Sequence, residues 1–339
     1  MYNFDKKAYD EQAQAVLHLL PQIEKAADAV IALGFDNILL LGVGGTYLEW
    51  ESVRACIGHK TDYPIYVENA AEILIKKDLD YLTDKTLVIA PSVSGDTKEI
   101  LQAVSFCKER GTKILGFTKN TETPLGKMLD YFLSLDTHFC ENYYIEYYTL
   151  LLCIMTKLGK TQGYDLWKEQ LPVVYKELLR YYESFDPVAK EIVHKYHKAP
   201  YSIWVGSGPA MWYCVEMMTM CLLEEMQWIR VRPVTSPHFF HGTIEMVEDG
   251  VPVFLTKGID EYRALDQRVE DFLNHYKVTD STVVFDMAKY PIHGLDSQFE
   301  DIAAVLVFAA LILDRIPKYY EFYNGHSLAF RRYYRQLDY

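Results

Sequence analysis

Small hydroxyl residues and glycines cluster in two stretches, each of which follows an apolar run. The first is Gly42-Val-Gly-Gly-Thr46, and the second is Ser92-Val-Ser-Gly-Asp-Thr97. A helix that begins after such a turn leaves backbone amides without partners and carries partial positive charge there. The hydroxyls of Ser92, Ser94 and Thr97 add further donors, so this stretch is suited to bind a monophosphate without a lysine. Helix capping is the alternative use of the same residue types.

The glycine at position 95 is expected to let the backbone approach such an anion closely. Two common nucleotide-binding motifs do not match the first stretch. No glycine stands where the last glycine of G-x-G-x-x-G would be, and no G-K-[ST] follows. Dinucleotides and nucleoside triphosphates are therefore less favoured ligands than a monophosphate.

The elements that must position these turns are short buried strands separated by crossovers long enough for helices. A helix is predicted over residues 8–33, with a kink or break at Pro21. Strands are predicted at residues 37–42, 65–67, 87–90, 113–118 and 131–135, and helices at 145–158 and 167–197. This order indicates a parallel sheet with helices on both faces, in which ligands bind beyond the carboxyl ends of the strands.

The pattern begins again after residue 200. Ser202-Ile-Trp-Val-Gly-Ser-Gly208 repeats the strand and glycine turn of residues 38–45. A helix at 210–228, strands at 229–233, 253–256 and 283–286, and an apolar helix at 301–314 follow. The sequence therefore predicts an α/β fold of two tandem three-layer α/β/α modules, each with a parallel sheet. We place the N-terminal helix at 1–34, the first module at 35–165, linking helices at 166–198, the second module at 199–320 and a C-terminal tail at 321–339.

Composition limits the classes of partner. The net charge is −13, which disfavours nucleic acid as a ligand. No apolar run of membrane-spanning length and no signal peptide are indicated, so we expect a cytoplasmic protein without a membrane partner. The six cysteines are irregularly spaced and include no C-x-x-C pair, which favours reduced core thiols and predicts no metal site.

The combination of G-G-T after one strand and S-x-S-G-D-T after another resembles the sugar isomerase (SIS) domain, a phosphosugar-binding α/β module. The resemblance implies that Thr46, Ser92, Ser94 and Thr97 bind the sugar phosphate, together with the backbone at two further positions. Those positions are Gly45 and Val93. Two tandem SIS modules also form the isomerase half of glucosamine-6-phosphate synthase.

A second stretch narrows the resemblance. Residues 225–229 read E-M-Q-W-I, and residues 238–242 read H-F-F-H-G. They are similar to the fructosamine-6-phosphate deglycases, in which the functional glutamate and histidine are separated by the same sixteen residues as Glu225 and His241. The endings Arg331-Arg-Tyr333 and Leu337-Asp-Tyr339 are similar to that family's R-R-Y and V-E-Y.

The sequence departs from the family at three places. His238 replaces a glutamate, Thr243 replaces a proline, and the first loop reads L-G-V-G-G-T where A-C-G-G-S is common. Glu225 and His241 are retained, so these departures concern the amine specificity. The sequence does not identify the amine.

The resemblance implies hydrolysis of a 1-amino-1-deoxy-ketose 6-phosphate to a hexose 6-phosphate and a free amine or amino acid. In that reaction Glu225 is the candidate base that removes a proton from C1, and His241 is the candidate acid. Neither step requires a metal or an organic cofactor. Taken singly, Glu225 would more often be a solvated helix end and His241 a packed or exposed loop residue.

Arg331 and Arg332 have two interpretations. By default a basic pair in an acidic chain is solvated or paired with carboxylates. The resemblance implies instead that the tail covers the active site and that an arginine contacts the phosphate or carboxylate of the substrate.

Two other functions remain open. One is isomerisation or deamination of an amino-sugar phosphate, which would use the same base. The other is a non-enzymatic sugar-phosphate sensor. The resemblance also implies a homodimer or a higher homo-oligomer.

Overall fold

The computed structural model describes residues 1–276 and 278–334. The chain divides into two compact units. The N-terminal unit is Lys6–Leu171, and the C-terminal unit comprises Met1–Asp5 and the described residues from Pro172 onward. The final Leu337-Asp-Tyr339 motif lies outside the described residues. The division into an N-terminal helix, a first module, linking helices, a second module and a C-terminal tail, with the bounds given above, stays a prediction.

The N-terminal unit contains a five-stranded sheet in which all strands are parallel, in the order β2-β1-β3-β4-β5. The strands are β1 (Asn37–Gly42), β2 (Ile65–Asn69), β3 (Thr86–Pro91), β4 (Lys113–Thr118) and β5 (Tyr131–Ser134). All residues of β1 and β3 are buried, as expected for the central strands of a covered parallel sheet.

The helices of this unit flank the sheet. They are α1 (Lys6–Leu33), α2 (Gly45–Gly58), α3 (Lys98–Lys108), α4 (Cys140–Lys157) and α5 (Tyr164–Tyr196), which continues beyond the unit, with 3₁₀ turns at Glu72–Leu74 and Gly126–Met128. Side chains of α3 such as Ile100 and Val104 share a core with Leu39 and Val88 of the sheet. Helix α1 runs through Pro21 without interruption, so a break there is wrong.

The C-terminal unit contains a four-stranded parallel sheet in the order β7-β6-β8-β9. The strands are β6 (Ser202–Gly206), β7 (Val231–Thr235), β8 (Val253–Lys257) and β9 (Thr282–Asp286). This order matches that of the first four strands of the N-terminal unit. The predicted fold class, two parallel sheets with flanking helices and an N-terminal helix, is confirmed.

Two helices of the C-terminal unit change from α to π geometry. They are α6 (Pro209–Glu216), which continues as a π-helix over Met217–Glu225, and α9 (Glu300–Phe308), which continues as a π-helix over Ala309–Arg315. The other helices are α7 (Ser236–Phe239), α8 (Arg263–His275) and α10 (Ile316–Asn324), with 3₁₀ turns at Thr243–Met246, Val278–Ser281, Met287–Lys289 and Ser297–Phe299. π-Helical segments are rare and often mark functional sites.

A buried ion-pair cluster joins the first residues of the chain to the rest of the C-terminal unit. The side chain of Arg315 is fully buried and contacts Asp186 and Asp314. Its Nη2 also donates to the backbone oxygen of Tyr2 at 2.7 Å. Burial of a guanidinium is tolerated only when its donors are satisfied, so the backbone carbonyl of Tyr2 helps to stabilise the buried Arg315. Among the described helices, none combines the length and apolarity needed to cross a membrane.

Candidate active site

The loop between β3 and α3 brings together the hydroxyls predicted to bind phosphate. Ser92 Oγ and Thr97 Oγ1 lie 2.9 Å apart. The amide of Gly95 donates to Ser92 Oγ at 3.1 Å and to the Ser92 carbonyl oxygen at 3.0 Å. The Ser94 hydroxyl donates to the carboxylate of Asp96. Ser92 and Thr97 therefore belong to one small network at the start of α3, and Ser94 lies in the same loop with its hydroxyl bonded to Asp96.

Thr97 immediately precedes α3 but does not cap it, because its side chain makes no hydrogen bond to an amide of the helix. Its hydroxyl interacts with Ser92 instead. A simple capping function therefore does not account for Thr97. Uncapped amides at the start of an eleven-residue helix, next to hydroxyl donors, are a favourable environment for an anion.

Gly95 has a different role from the predicted approach to a ligand. Its φ is +68°, which favours glycine, and an added Cβ would lie 2.4 Å from Thr123 Cβ and 2.6 Å from Thr118 Oγ1. The missing side chain therefore leaves room for two threonines of the same unit. The carbonyl oxygen of Val93 faces the same region and accepts a hydrogen bond from the amide of Lys119 at 3.3 Å.

The loop between β1 and α2 is held by its own threonine. Thr46 Oγ1 donates to the carbonyl oxygen of Val43 and accepts from the amide of Val43, both at 3.0 Å. Gly44 has φ +55°, and α2 begins at Gly45 without a side-chain cap. Since β1 and β3 are neighbours in the sheet, the two loops leave adjacent strands at the same edge. In this structure the Thr46 hydroxyl stabilises its own loop.

In the C-terminal unit, Glu225 is the last residue of the π-helical segment that follows α6. Its carboxylate forms an ion pair with Arg331, in which Nε and Oε1 are 2.5 Å apart. The Glu225 side chain is 36% exposed, whereas that of Arg331 is 16% exposed. A carboxylate that is open to solvent and oriented by a guanidinium is suited to accept a proton from a bound molecule.

The end of the described chain contacts the E-M-Q-W-I segment at two further places. Gln227 Nε2 donates to the carbonyl oxygen of His326 at 2.8 Å. The guanidinium of Arg332 lies 3.6 Å from the centre of the Trp228 ring. Trp228 itself adopts φ +56°, an unusual conformation for a bulky residue that neighbouring contacts must hold in place. Arg331 and Arg332 therefore contact this segment.

His241 lies after α7 and lines a cavity of about 460 Å³. The residues that line it are Trp212, Arg232, Pro233, Val234, Thr235, His238, His241, Gly242, Thr243 and Met246. Glu225 is not among them. Within the C-terminal unit, the structure thus joins Glu225 to Arg331 and places His241 beside His238 and Arg232.

The turn after β6 forms a hydrogen bond to a buried acidic side chain. Asp266, on the first turn of α8, is fully buried and accepts hydrogen bonds from Ser207 Oγ and Ser236 Oγ, both at 2.5 Å. The amide of Gly258 donates to its other oxygen at 3.3 Å. Burial raises the pKa of the Asp266 carboxyl, and the three donors oppose that effect.

Comparison with known proteins identifies the region that contains the β1–α2 and β3–α3 loops. Residues 35–139 match the family described as SIS domain. We call these residues the SIS domain, after the family that they match. The hydroxyls of Ser92 and Thr97 and the turn at Gly44 lie within this match, as the resemblance predicted.

Similarity to relatives extends beyond the SIS domain. The chain is 29% identical over 283 residues to fructosamine deglycase FrlB of Bacillus subtilis (strain 168), which covers 80% of this chain and 82% of the relative. It is 24% identical to fructoselysine 6-phosphate deglycase of Escherichia coli (strain K12), over 99% of both chains. The predicted resemblance to deglycases is confirmed, and these relatives support the prediction of a SIS-family phosphosugar enzyme.

The fold beyond the SIS domain also matches a solved structure. A crystal structure from Bacillus subtilis, described as a phosphosugar isomerase, superposes with a TM-score of 0.85 at 22% identity. It covers 95% of this chain and 99% of its own. This similarity concerns the fold alone.

Sequence reasoning missed several residues outside the SIS domain. Arg232 and Thr235 line the cavity beside His241. The R-V-R-P run in residues 230–233 could have indicated that Arg232 faces the opposite side of β7 from Val231. Asp266 could not have been found this way, because it interacts with serines 30 and 59 residues away in the sequence.

Two buried carboxyl groups of the N-terminal unit were also missed. Glu49 is on α2, and Glu146 is on α4. Oε2 of each is buried and has no hydrogen-bond partner in the described part of the chain. Burial raises the pKa of Glu49 to about 8 and raises the pKa of Glu146 as well.

Proposed function

We propose that the protein hydrolyses a fructosamine 6-phosphate to a hexose 6-phosphate and a free amine or amino acid. The observation that carries this proposal is the similarity to two named deglycases over 80% and 99% of the chain. The Glu225 and His241 pair, at the family spacing, supports the same reaction. No step of the proposal requires a metal or an organic cofactor.

The phosphate would bind to the β3–α3 loop of the SIS domain. Its oxygens would accept hydrogen bonds from the first amides of α3 and from the hydroxyls of Ser92, Ser94 and Thr97. The backbone at Gly45 and Val93 and the side chain of Thr46 complete the proposed set. Holding the substrate by a group remote from the reacting carbons can lower the barrier by several kcal/mol, to order of magnitude, through positioning.

Glu225 would act as the base. The open-chain substrate has a carbonyl group at C2, which makes the hydrogens on C1 acidic. Removal of one C1 proton by the carboxylate gives an enaminol, and delivery of a proton to C2 gives the imine of the aldose. Arg331 would orient the carboxylate through the 2.5 Å contact between its Nε and Glu225 Oε1.

His241 would act as the acid, because an imidazole can both hold and release a proton near neutral pH. It would assist ring opening or proton delivery on the C2 side. Water then adds to C1 of the imine, the bond between C1 and nitrogen breaks, and the amine leaves with a proton. The products are a hexose 6-phosphate and the free amine, so atoms and charges balance.

The first experiment measures turnover and binding separately. Wild-type protein is incubated with the fructosamine 6-phosphate of glycine, and released glycine and hexose 6-phosphate are quantified. We expect both products in equal amounts. Conversion to the isomeric aldosylamine 6-phosphate without released glycine would indicate an isomerase, and binding without any conversion would indicate a sensor.

Glu225→Gln is the decisive variant. Removal of a general base typically costs about 10²- to 10⁴-fold in rate, so we expect kcat to fall at least about 100-fold. The Kd for fructose 6-phosphate should change little, because the phosphate contacts remain. Glu224→Gln is the matched control, since this neighbouring glutamate is exposed. A Glu225→Gln variant with normal kcat would contradict the mechanism.

Two further predictions, one from the resemblance and one from the composition of the sequence, are open to measurement. A homodimer or a higher homo-oligomer is expected, and sedimentation equilibrium of the purified protein would measure it. A cytoplasmic location is expected as well, and fractionation of cells that express the protein would test it.

A further inference from the structure

The cavity beside His241 has an unusual charge for this protein. Its ionisable lining residues are Arg232, His238 and His241, and none of the described residues that line it is acidic. The whole chain, in contrast, has 47 acidic and 34 basic residues. A positive cavity in an acidic chain attracts anions selectively, because the surrounding surface repels them.

Two hydrogen-bond donors that line this cavity have no partner among the described residues. Within the described residues, the side chain of Arg232 is exposed and forms no hydrogen bond or ion pair. Thr235 Oγ1 is buried and has no hydrogen-bond partner. An unsatisfied buried hydroxyl costs free energy, so it is expected to have a ligand or water as its partner when the site is in use.

Three other arginines of the C-terminal unit have acidic partners. Arg263 pairs with Asp286, Arg315 with Asp186, and Arg331 with Glu225. The cavity also has an apolar wall formed by Trp212 and Met246, of which Met246 is 49% exposed. Its volume of about 460 Å³ is within the range of small-molecule sites, roughly 300–1,000 Å³.

We infer that this cavity binds a carboxylate carried by the amine portion of the substrate, with Arg232 as the residue that determines this specificity. The inference rests on the proposed function, in which His241 acts near the carbons that carry the amine. A guanidinium matches a planar carboxylate through two parallel hydrogen bonds. Trp212 and Met246 would contact the side chain of the amino acid. The released amine is thus an amino acid with a free carboxylate.

The test compares two ligands that differ only in this charge. They are the fructosamine 6-phosphates of glycine and of glycinamide. Binding is measured by calorimetry on Glu225→Gln protein, with and without Arg232→Gln, so turnover is not needed. Since one charge-assisted contact corresponds to about tenfold in Kd, we expect the glycine derivative to bind about tenfold more tightly. Arg232→Gln should abolish this preference and change glycinamide binding less than about twofold.

Arg230→Gln is the matched control. Arg230 is an exposed arginine two positions away that does not line the cavity, and its replacement should leave the preference intact. Fructose 6-phosphate provides a third ligand. If Arg232→Gln weakens its binding about tenfold, the cavity holds phosphate and the inference is wrong.

The outcomes separate this inference from the proposed function. Release of amine from both substrates, with no binding preference for the carboxylate, would overturn the inference and leave the deglycase proposal standing. A clear preference that depends on Arg232, in a wild-type protein that releases no amine, would support the cavity assignment and overturn the deglycase proposal.

Discussion

The loops at the carboxyl ends of the strands differ between the two units, although the strand orders correspond. In the N-terminal unit, the loop after β3 presents the hydroxyls of Ser92 and Thr97 beside an uncapped helix. In the C-terminal unit, the hydroxyls of Ser207 and Ser236 donate instead to the buried carboxylate of Asp266. A buried carboxyl group thus accepts hydrogen bonds from the hydroxyls at one edge, whereas the hydroxyls of Ser92 and Thr97 contact each other at the other edge.

The units also differ in how they accommodate buried carboxyl groups. Asp266 has three donors, whereas Oε2 of Glu49 and of Glu146 has no partner among the described residues. Asp266 is therefore a structural component of its unit, and the two glutamates are an energetic cost to theirs whenever they ionise.

The largest effect is expected from Asp266→Ala. The substitution leaves the hydroxyl of Ser236 and the amide of Gly258 without their acceptor, and it leaves the hydroxyl of Ser207 with only the carbonyl oxygen of Tyr262 at 3.3 Å. Each unsatisfied buried group costs about 1–3 kcal/mol, so we expect the free energy of unfolding to fall by about 3 kcal/mol or more. Urea denaturation measures this change. Asp266→Asn keeps one acceptor oxygen and should cost less; equal stability of Asp266→Ala and wild type would refute a structural role.

The next effect concerns the β3–α3 loop of the N-terminal unit. Ser92→Ala combined with Thr97→Ala removes two hydroxyl donors from the proposed phosphate site. Because each lost hydrogen bond to a charged group is worth about 1.5 kcal/mol or more, we expect KM to rise at least about 100-fold. The stability should change by only about 1 kcal/mol.

Two variants provide the controls for this prediction. Ser105→Ala alters an exposed serine on the same helix and should affect neither quantity. Ser207→Ala combined with Ser236→Ala should lower the stability but leave KM unchanged. If replacing Ser207 and Ser236 raised KM as much as replacing Ser92 and Thr97, the proposed difference between the two units would be wrong.

The third effect is a pH dependence of the stability from Glu49. Burial raises the pKa of its carboxyl from 4.5 to about 8. The unfolded chain therefore releases this proton at lower pH than the folded chain does. The stability contributed by the protonated form is complete below about pH 4.5 and is lost as the pH rises towards about 8. The slope is at most about 1.4 kcal/mol per pH unit.

Glu49→Gln should reduce this slope, as measured by urea denaturation between pH 5 and pH 8, roughly the window between the two pKa values. Glu109→Gln removes an exposed carboxylate of the same unit and should have no effect on it. If the free energy of unfolding of the Glu49→Gln variant changes with pH as steeply as that of wild type, other groups cause the pH dependence. Glu146 is then the first residue to replace.

Local patterns were sufficient to predict most of the fold. Apolar runs and glycine turns located all nine strands, because buried parallel strands have a strong local signature. Helix α4 was predicted to begin at Ile145 but begins at Cys140, since its first turn contains polar residues that conceal the start. The uninterrupted α1 shows that packing can override the local effect of Pro21.

The site was predictable only in part. The hydroxyl residues of the β3–α3 loop are contiguous in sequence, so their grouping was visible. The ion pair between Glu225 and Arg331 spans 106 residues, and no local pattern encodes such a contact. The π-geometry of Met217–Glu225 was likewise hidden, because its composition is that of an ordinary apolar helix.

The bond from Arg315 to the backbone of Tyr2 has a practical consequence for dissecting the protein. Since the first five residues belong to the unit that begins again at Pro172, the intervening segment is inserted within that unit, in terms of chain connectivity. A fragment starting at Pro172 would retain the guanidinium but lose one of its acceptors. Supplying the missing N-terminal peptide in trans, or fusing it ahead of Pro172, is the route to an isolated C-terminal half.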